Sequence, residues 1–324
     1  MPVPKGPHLE FEQPVVELSM KIEDLLKTSE ITSTDVKDLL ARKEAMQKKI
    51  ASKLSAWNRV ELARRAGRPY TLDYVENIFT DFVELHGDRC FGDDPALVCG
   101  PAKLDGESVM ILGHQKGKDT KESIRRNFGM AHPEGYRKAL RCMKLAEKFK
   151  LPIISFVDTM GAYPGIGAEE RGQAEAIARN LMEMAVLSVP ILVVVIGEGA
   201  SGGALGIGIG DRLLMLENTW FGVISPESCS AILWGDSSKK MELSETMKLT
   251  PADLLDLKIT DRVVKEPLGG AHWEPEQMYK ILKGVLLEEL DSLKKMKVPD
   301  LVEKRIAKLT SIGLYSGERA KNGG

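Results

Sequence analysis

The 324-residue chain is 43% hydrophobic and 28% charged, the balance of a soluble globular protein with room for two domains or one domain and an appendage. A net charge of −2 gives no support for a nucleic-acid surface, and no apolar run reaches the roughly 18 residues of a membrane span. The first residues, Met-Pro-Val-Pro-Lys-Gly-Pro-His, lack the apolar core of a secretory signal. Cys90, Cys99, Cys142 and Cys229 form no C-x-x-C pair, so a cytoplasmic protein with reduced thiols and no metal site of its own is expected.

In chain order, residues 10–85 read as helical. Thr32 with Asp35 makes a capping box, and Val36, Leu39, Leu40, Met46, Ile50, Leu54 and Trp57 follow at helical spacing. Lys37, Arg42, Lys43, Lys48, Lys49 and Lys53 take the opposite face, which is expected to be solvated. This arm has too few apolar residues for a compact domain and is expected to pack on the rest of the chain or on a partner. From about residue 97 the pattern alternates. Strands are predicted at Val109–Lys116, Leu151–Val157, Ile191–Ile196, Arg212–Leu216 and Trp220–Ile224, and helices at Pro133–Phe149, Ala168–Val189 and Glu227–Trp234. Beyond residue 240 the chain turns helical again, with short elements at Ser244–Met247 and Pro251–Leu257, a helix from Pro275 to Lys295, and a polar tail from Ser316. The repeated unit of strand, glycine loop and helix predicts α/β layering with functional loops at strand C-termini.

Residues 191–203, Ile-Leu-Val-Val-Val-Ile-Gly-Glu-Gly-Ala-Ser-Gly-Gly, carry the most information, because an apolar strand runs straight into a glycine cluster. Gly197, Gly199 and Gly202 spell G-x-G-x-x-G, with Glu217 at the spacing of a ribose-binding acid, which is a dinucleotide signature. Gly199-Ala200-Ser201-Gly202-Gly203 also satisfies G-x-S-x-G, the serine hydrolase pattern. Thirdly, the adjacent amides of Gly202 and Gly203 suit an oxyanion hole. A glycine packing turn is the plain alternative. A second glycine loop, Gly161 to Gly167, precedes this one by a βα unit, which weakens the dinucleotide reading. Only His272 lies downstream of Ser201 to serve as its base, which weakens the hydrolase reading. The oxyanion reading needs main-chain amides alone.

Several longer motifs carry a resemblance: Gly113-His-Gln-Lys-Gly-Lys-Asp-Thr-Lys, Asn127-Phe-Gly-Met, Pro133-Glu-Gly-Tyr-Arg-Lys-Ala-Leu, Gly161-Ala-Tyr-Pro-Gly-Ile-Gly-Ala-Glu-Glu-Arg-Gly-Gln, Ser201-Gly-Gly-Ala-Leu, Ile224-Ser-Pro-Glu and Pro267-Leu-Gly-Gly-Ala-His. Together they resemble the α subunits of bacterial acetyl-CoA carboxylase carboxyltransferases, from the helical arm to about residue 290. The resemblance implies a crotonase-like fold, a spiral of repeated ββα units with an N-terminal helical arm and C-terminal helices. The expected divisions are an arm over 1–85, a carboxyltransferase domain over 86–295, and a C-terminal helix with polar tail over 296–324.

The activity so implied belongs to fatty acid synthesis. The carboxyl group of carboxybiotin, borne on a separate biotin carboxyl carrier protein, passes to acetyl-CoA to give malonyl-CoA. Such chains work as α₂β₂ complexes in which the β subunit holds a four-cysteine zinc site and most of the acyl-CoA pocket, and ATP is used only by the biotin carboxylase component. Carried onto this sequence, Gly202 and Gly203 face the biotin ureido oxygen and Ala204 continues the turn. Gly161, Ala162 and Gly165 line the same pocket. Lys116, Lys118, Lys121, Arg125 and Arg126 form a basic run placed to reach coenzyme A phosphates or the carrier. Met160 and Ala200 stand where the family has proline and glycine. A stand-alone crotonase-type acyl-CoA hydrolase or isomerase, an NAD-binding protein and a non-catalytic scaffold subunit remain as alternatives.

Overall fold

A computed structural model describes residues 3, 4, 6–27 and 34–313. The expected capping residue Thr32 and the polar tail from Ser316 lie outside the described residues. The arm comprises α1 (Gln13–Leu26), α2 (Thr34–Ala51), α3 (Ala56–Ala63) and α4 (Thr71–Ile78). One buried carboxylate helps to fasten it to the rest of the chain, alongside the buried Arg68–Glu266 pair. Glu12 Oε2 accepts from Leu9 N–H at 2.9 Å and Arg65 Nε at 3.0 Å, while its Oε1 pairs with His272 Nε2 at 2.7 Å. The last helix of the arm goes further and sends Tyr74, Val75 and Ile78 into the main core.

The sheet contains β1 (Leu97–Leu104), β2 (Glu107–His114), β3 (Ile153–Thr159), β4 (Ile191–Ala200), β5 (Arg212–Leu216), β6 (Trp220–Gly222) and β7 (Arg262–Val264). Its order is β1-β2-β3-β4-β5-β7, parallel throughout except for the β1–β2 hairpin. That hairpin turns on Asp105-Gly106, both at positive φ (52° and 87°), the conformation a two-residue turn needs to match strand twist. β3 and β4 are buried along their whole length, which is why they read as continuous apolar runs rather than alternating ones.

The remaining helices are α5 (Thr120–Arg125), α6 (Pro133–Phe149), α7 (Ile166–Glu170), α8 (Gln173–Val186), α9 (Ser201–Leu205), α10 (Pro226–Trp234), α11 (Lys240–Thr246), α12 (Pro251–Asp256), α13 (Pro275–Lys294) and α14 (Val298–Thr310). α4 and α13 cover one face of the sheet, and α6, α8, α9 and α12 cover the other. Every donor group of the buried Arg305 on α14 is used. Its guanidinium holds both Asp211 oxygens at 2.8 Å and the carbonyls of Met184, Leu187 and Val189.

Several boundaries differ from the sequence reading: β2 spans Glu107–His114 rather than Val109–Lys116, β3 spans Ile153–Thr159 rather than Leu151–Val157, and α11 spans Lys240–Thr246 rather than Ser244–Met247. The single helix expected over Ala168–Val189 is broken at Gly172, whose φ of 81° ends α7 and starts α8. Trp220–Ile224 shortens to β6 because Ser225-Pro226 caps and opens α10, with Ser225 Oγ accepting from Ser228 N–H at 3.2 Å. The strand from Ile191 does not stop at Ile196 but runs to Ala200. It pairs with β5 through Val195, and then Glu198, Gly199 and Ala200 pair with β6 instead. β3 follows it across a register shift to pair Thr159 with Gly199. β4 thus changes partner from β5 to β6 along its length and delivers the glycine cluster at its end.

Candidate active site

Gly197 and Gly199 lie inside β4, not in a turn. A Cβ at Gly197 would sit 2.3 Å from the Asp158 carboxylate, and one at Gly199 would sit 2.4 Å from the Phe221 ring. Their role is close packing, so the phosphate-binding turn of a dinucleotide site is not formed. Glu217 pairs with Lys265 at 2.7 Å. The hydrolase arrangement is also missing. Ser201 is exposed and held at φ 58°, the kind of backbone a nucleophile elbow uses, but His272 is buried against Glu12.

The turn itself starts at Ala200, which is extended (φ −105°, ψ 133°), so an alanine in place of the family's glycine costs no backbone strain there. α9 follows directly. Gly202 and Gly203 are in its first turn, where main-chain N–H groups have no intrahelical acceptor, and no side chain caps them. These are free donors at a strand end. The loop after β3 closes on the same point. A Cβ at Gly203 would meet Gly161 C at 2.3 Å and Ala162 N at 2.4 Å, so the Gly161–Ala162 peptide packs directly on Gly203. Thr159 Oγ1 fixes that loop by accepting from Gly161 N–H at 3.1 Å and donating to its carbonyl at 2.7 Å. Gly161 itself, at φ 146°, holds a backbone that side-chain-bearing residues rarely adopt. Gly165 lies further along as the N-cap of α7, and Met160 is half exposed.

Beside α9 runs a groove of about 370 Å³ lined by Gly202, Leu205, Phe221, Val223, Met247 and Leu257 among others, with Lys248 as its charged side chain. Behind Gly203 the packing is tight. Tyr136 Oη donates to the Gly203 carbonyl at 3.2 Å. His114 is fully buried, and neither of its ring nitrogens completes a hydrogen bond. Burial, reinforced by the Lys116 charge, pushes its pKa down to about 3 against the pull of the Gly203 and Phe156 carbonyls, so it stays neutral.

The basic run divides. Lys116 is not free to reach a ligand: its Nζ bridges Asp158 Oδ1 and Glu198 Oε2, each at 2.7 Å. Arg64 Nε takes the other Glu198 oxygen at 2.6 Å and also binds Glu227. Burial alone would raise the Glu198 carboxyl, but Lys116 and Arg64 outweigh it and hold it at about 2, whereas at Asp158 burial wins and the pKa rises. This cluster ties the ends of β2, β3 and β4 together beside a cavity of about 220 Å³ that Tyr70, Phe128 and Met160 help to line. Arg126 is buried on Glu122 and the Pro95 carbonyl, and Lys118 reaches Asp73. Lys121 and Arg125 are exposed on α5 and make no ion pair among the described residues. Tyr136, Arg64, Asp158 and Glu198 are site-supporting residues that the sequence reading missed. Acidic residues standing at the ends of otherwise apolar strands were the available signal for the last two.

The site can therefore offer uncapped main-chain donors above an apolar groove, with no paired acid and base at the turn. A family model described as "Acetyl co-enzyme A carboxylase carboxyltransferase-like" matches residues 8–313. Proteins named acetyl-coenzyme A carboxylase carboxyl transferase subunit alpha are similar almost end to end. The one from Geobacter metallireducens is 57% identical over 95% of this chain and 98% of its own length, and that from Chlorobium luteolum is 52% identical over 96% and 98%. Among solved structures, transcarboxylase 12S superposes with a TM-score of 0.55 at 20% identity, covering 71% of this chain and 44% of that one. A Pseudomonas malonate decarboxylase hetero-tetramer gives 0.55 at 16%, covering 71% and 89%. These two likenesses show the fold, the crotonase-like arrangement expected above. With the family model spanning nearly all of its length, this chain belongs to the acetyl co-enzyme A carboxylase carboxyltransferase-like family.

Proposed function

We propose that this chain is the α half of a carboxyltransferase that, with a β partner, moves the carboxyl group of carboxybiotin to acetyl-CoA and so forms malonyl-CoA. The observation that carries the site assignment is the meeting of two strand-end loops at Gly203, where the first-turn amides of Gly202 and Gly203 have no cap and Gly202 lines the groove. That donor set fits a neutral urea on an apolar ring system: N–H groups at one end, and Leu205, Phe221 and Leu257 along the side. Carboxybiotin, when bound, supplies the transferable carboxyl group and a ureido oxygen on which negative charge grows. The chain's own part is electrostatic. Aimed amides meet that charge without reorganising, and one such donor is worth on the order of 3 kcal/mol. Gly161 and Ala162 back Gly203 from the loop after β3, Gly165 follows at the start of α7, and Ala204 continues the helix. Lys121 and Arg125, with Lys118 at the edge, are the cations of the basic run left to meet coenzyme A phosphates or the carrier; Lys116 and Arg126 brace the loops from within.

The thioester side of the reaction is assigned to the β partner, together with zinc. Among the described residues there is no cluster of three or more His, Cys, Asp or Glu placed to hold a metal. No described helix is long and apolar enough to cross a membrane. The test is reconstitution with a β subunit, following malonyl-CoA decarboxylation in the presence of free biotin. Activity is expected from the complex and not from either chain alone. Turnover by this chain alone would instead support a stand-alone hydrolase or isomerase.

A further inference from the structure

A glycine has the widest backbone freedom of any residue, and a helix of five residues cannot hold its own geometry. If the amide of Gly203 does chemistry, something outside α9 must fix where it points. Its Cα is pinned on one side by the Gly161–Ala162 peptide. Its carbonyl is not taken by the next turn, because Ile207 N–H goes to the Ala204 carbonyl at 3.4 Å. Instead Tyr136 Oη reaches it from α6, at 3.2 Å.

Tyr136 is itself immobilised. Its ring is fully buried and lies flat against Gly206, where a Cβ would come within 2.5 Å of two ring carbons. Asn180 on α8 locks the pair by donating from Nδ2 to the carbonyls of both Tyr136 and Gly206, at 3.0 and 2.8 Å. Ser155 on β3 adds a bond to the Ile207 carbonyl at 2.6 Å. Three separate elements therefore converge on the back of a single short turn.

We infer that Tyr136 is a positioning residue of the carboxyl-transfer reaction: its hydroxyl holds the Gly203 carbonyl so that the Gly203 N–H keeps its aim at the site. This rests on the reading of Gly203 as an oxyanion donor. Tyr136 touches no reacting group, so its effect passes entirely through the Gly203 backbone. Loss of the hydroxyl frees the Gly203–Ala204 peptide. Because glycine leaves φ and ψ at residue 203 soft, the adjoining Gly202–Gly203 peptide, which carries the Gly203 N–H, is then free to tilt, and misplacement on the scale of 1 Å is enough to slow a positioned reaction severely.

The test uses the full chain in complex with its β subunit, with malonyl-CoA decarboxylation in the presence of biotin as the readout. Tyr136→Phe is expected to lower kcat about tenfold with KM for malonyl-CoA within about twofold of the parent. Placing p-aminophenylalanine at position 136, which keeps a donor at the ring's end, is expected to restore most of the rate, and this variant also serves if the phenylalanine variant folds poorly. The decisive arm exchanges Gly203 for glycolate, which replaces its N–H by an ester oxygen. In that background Tyr136→Phe should cost nothing further, whereas a purely structural role would multiply the two losses. An unchanged kcat in Tyr136→Phe, or multiplicative losses, overturns the inference while leaving the Gly203 reading intact. Full activity of the glycolate variant overturns both.

Discussion

Gly202 and Gly203 are neighbours in one turn, yet their surroundings differ. A Cβ at Gly202 would meet only the Ile177 side chain, at 3.5 Å, while one at Gly203 would run into the Gly161–Ala162 main chain at 2.3 to 2.4 Å. Gly202→Ala is therefore expected to change stability by less than about 0.5 kcal/mol, and Gly203→Ala to destabilise by roughly 1–3 kcal/mol. Chemical denaturation of the two variants checks this, and equal effects would contradict the packing. A bulky residue at 203 is consequently a poor probe of catalysis, because it parts the two loops whatever the amide does. At this scale the sequence was legible where the proposed role rests on main chain. Two adjacent glycines after an apolar strand are visible in one dimension. The Lys116–Asp158–Glu198 cluster was not, because its members come from the loop after β2, from β3 and from β4, and a lysine in a basic run looks the same whether it faces solvent or a buried acid.

Elements with strong internal periodicity were read accurately. Pro133–Phe149 and Arg212–Leu216 have the limits expected from sequence, since a proline at N1 and a short apolar run leave little choice. The break at Gly172 and the extension of β4 to Ala200 were not legible, because a glycine's φ is not written in the sequence and because contacts with Asp158 and Phe221 keep Gly197 and Gly199 in the strand. The arm shows a similar dependence. One of its ties is Glu12, whose carboxyl burial would raise but His272, Leu9 and Arg65 hold at about 2. A carboxyl whose folded pKa lies below its unfolded value near 4.5 stabilises fully above that value and progressively less as pH falls toward 2. His272, whose pKa burial depresses, acts in the same direction, because it charges more readily when unfolded. Amide exchange in α1 and α2 is therefore expected to accelerate between about pH 5 and pH 3, relative to the sheet and after correction for intrinsic rates. Glu12→Gln should raise exchange at neutral pH and flatten its pH dependence. A flat profile in the parent protein would contradict the clasp.

Over the whole molecule, the parallel sheet serves to bring the ends of β3 and β4 to one place. There the peptide after Thr159 and the turn after Ala200 press together. The crotonase-like architecture was reached from sequence through the motif resemblance; the repeat of strand, glycine loop and helix pointed only as far as α/β layering. The change of partner along β4, from β5 up to Val195 to β6 from Glu198, shows why the resemblance was needed: a run of strands in the sequence does not reveal which of them pair. The groove beside Gly202 also borders on exposed apolar residues, Val223 among them, and Ile232, Leu233 and Trp234 stand exposed on α10, as suits a chain that works beside a partner. The central claim is that a main-chain N–H of this chain, rather than any side chain, stabilises the charge that develops in the reaction. Its most direct measurement is kcat for biotin-dependent malonyl-CoA decarboxylation by the complex with glycolate in place of Gly203. A fall of about 100-fold or more, with the complex still assembled and KM little changed, is the expected result. A rate within twofold of the parent would show that the Gly203 amide takes no part.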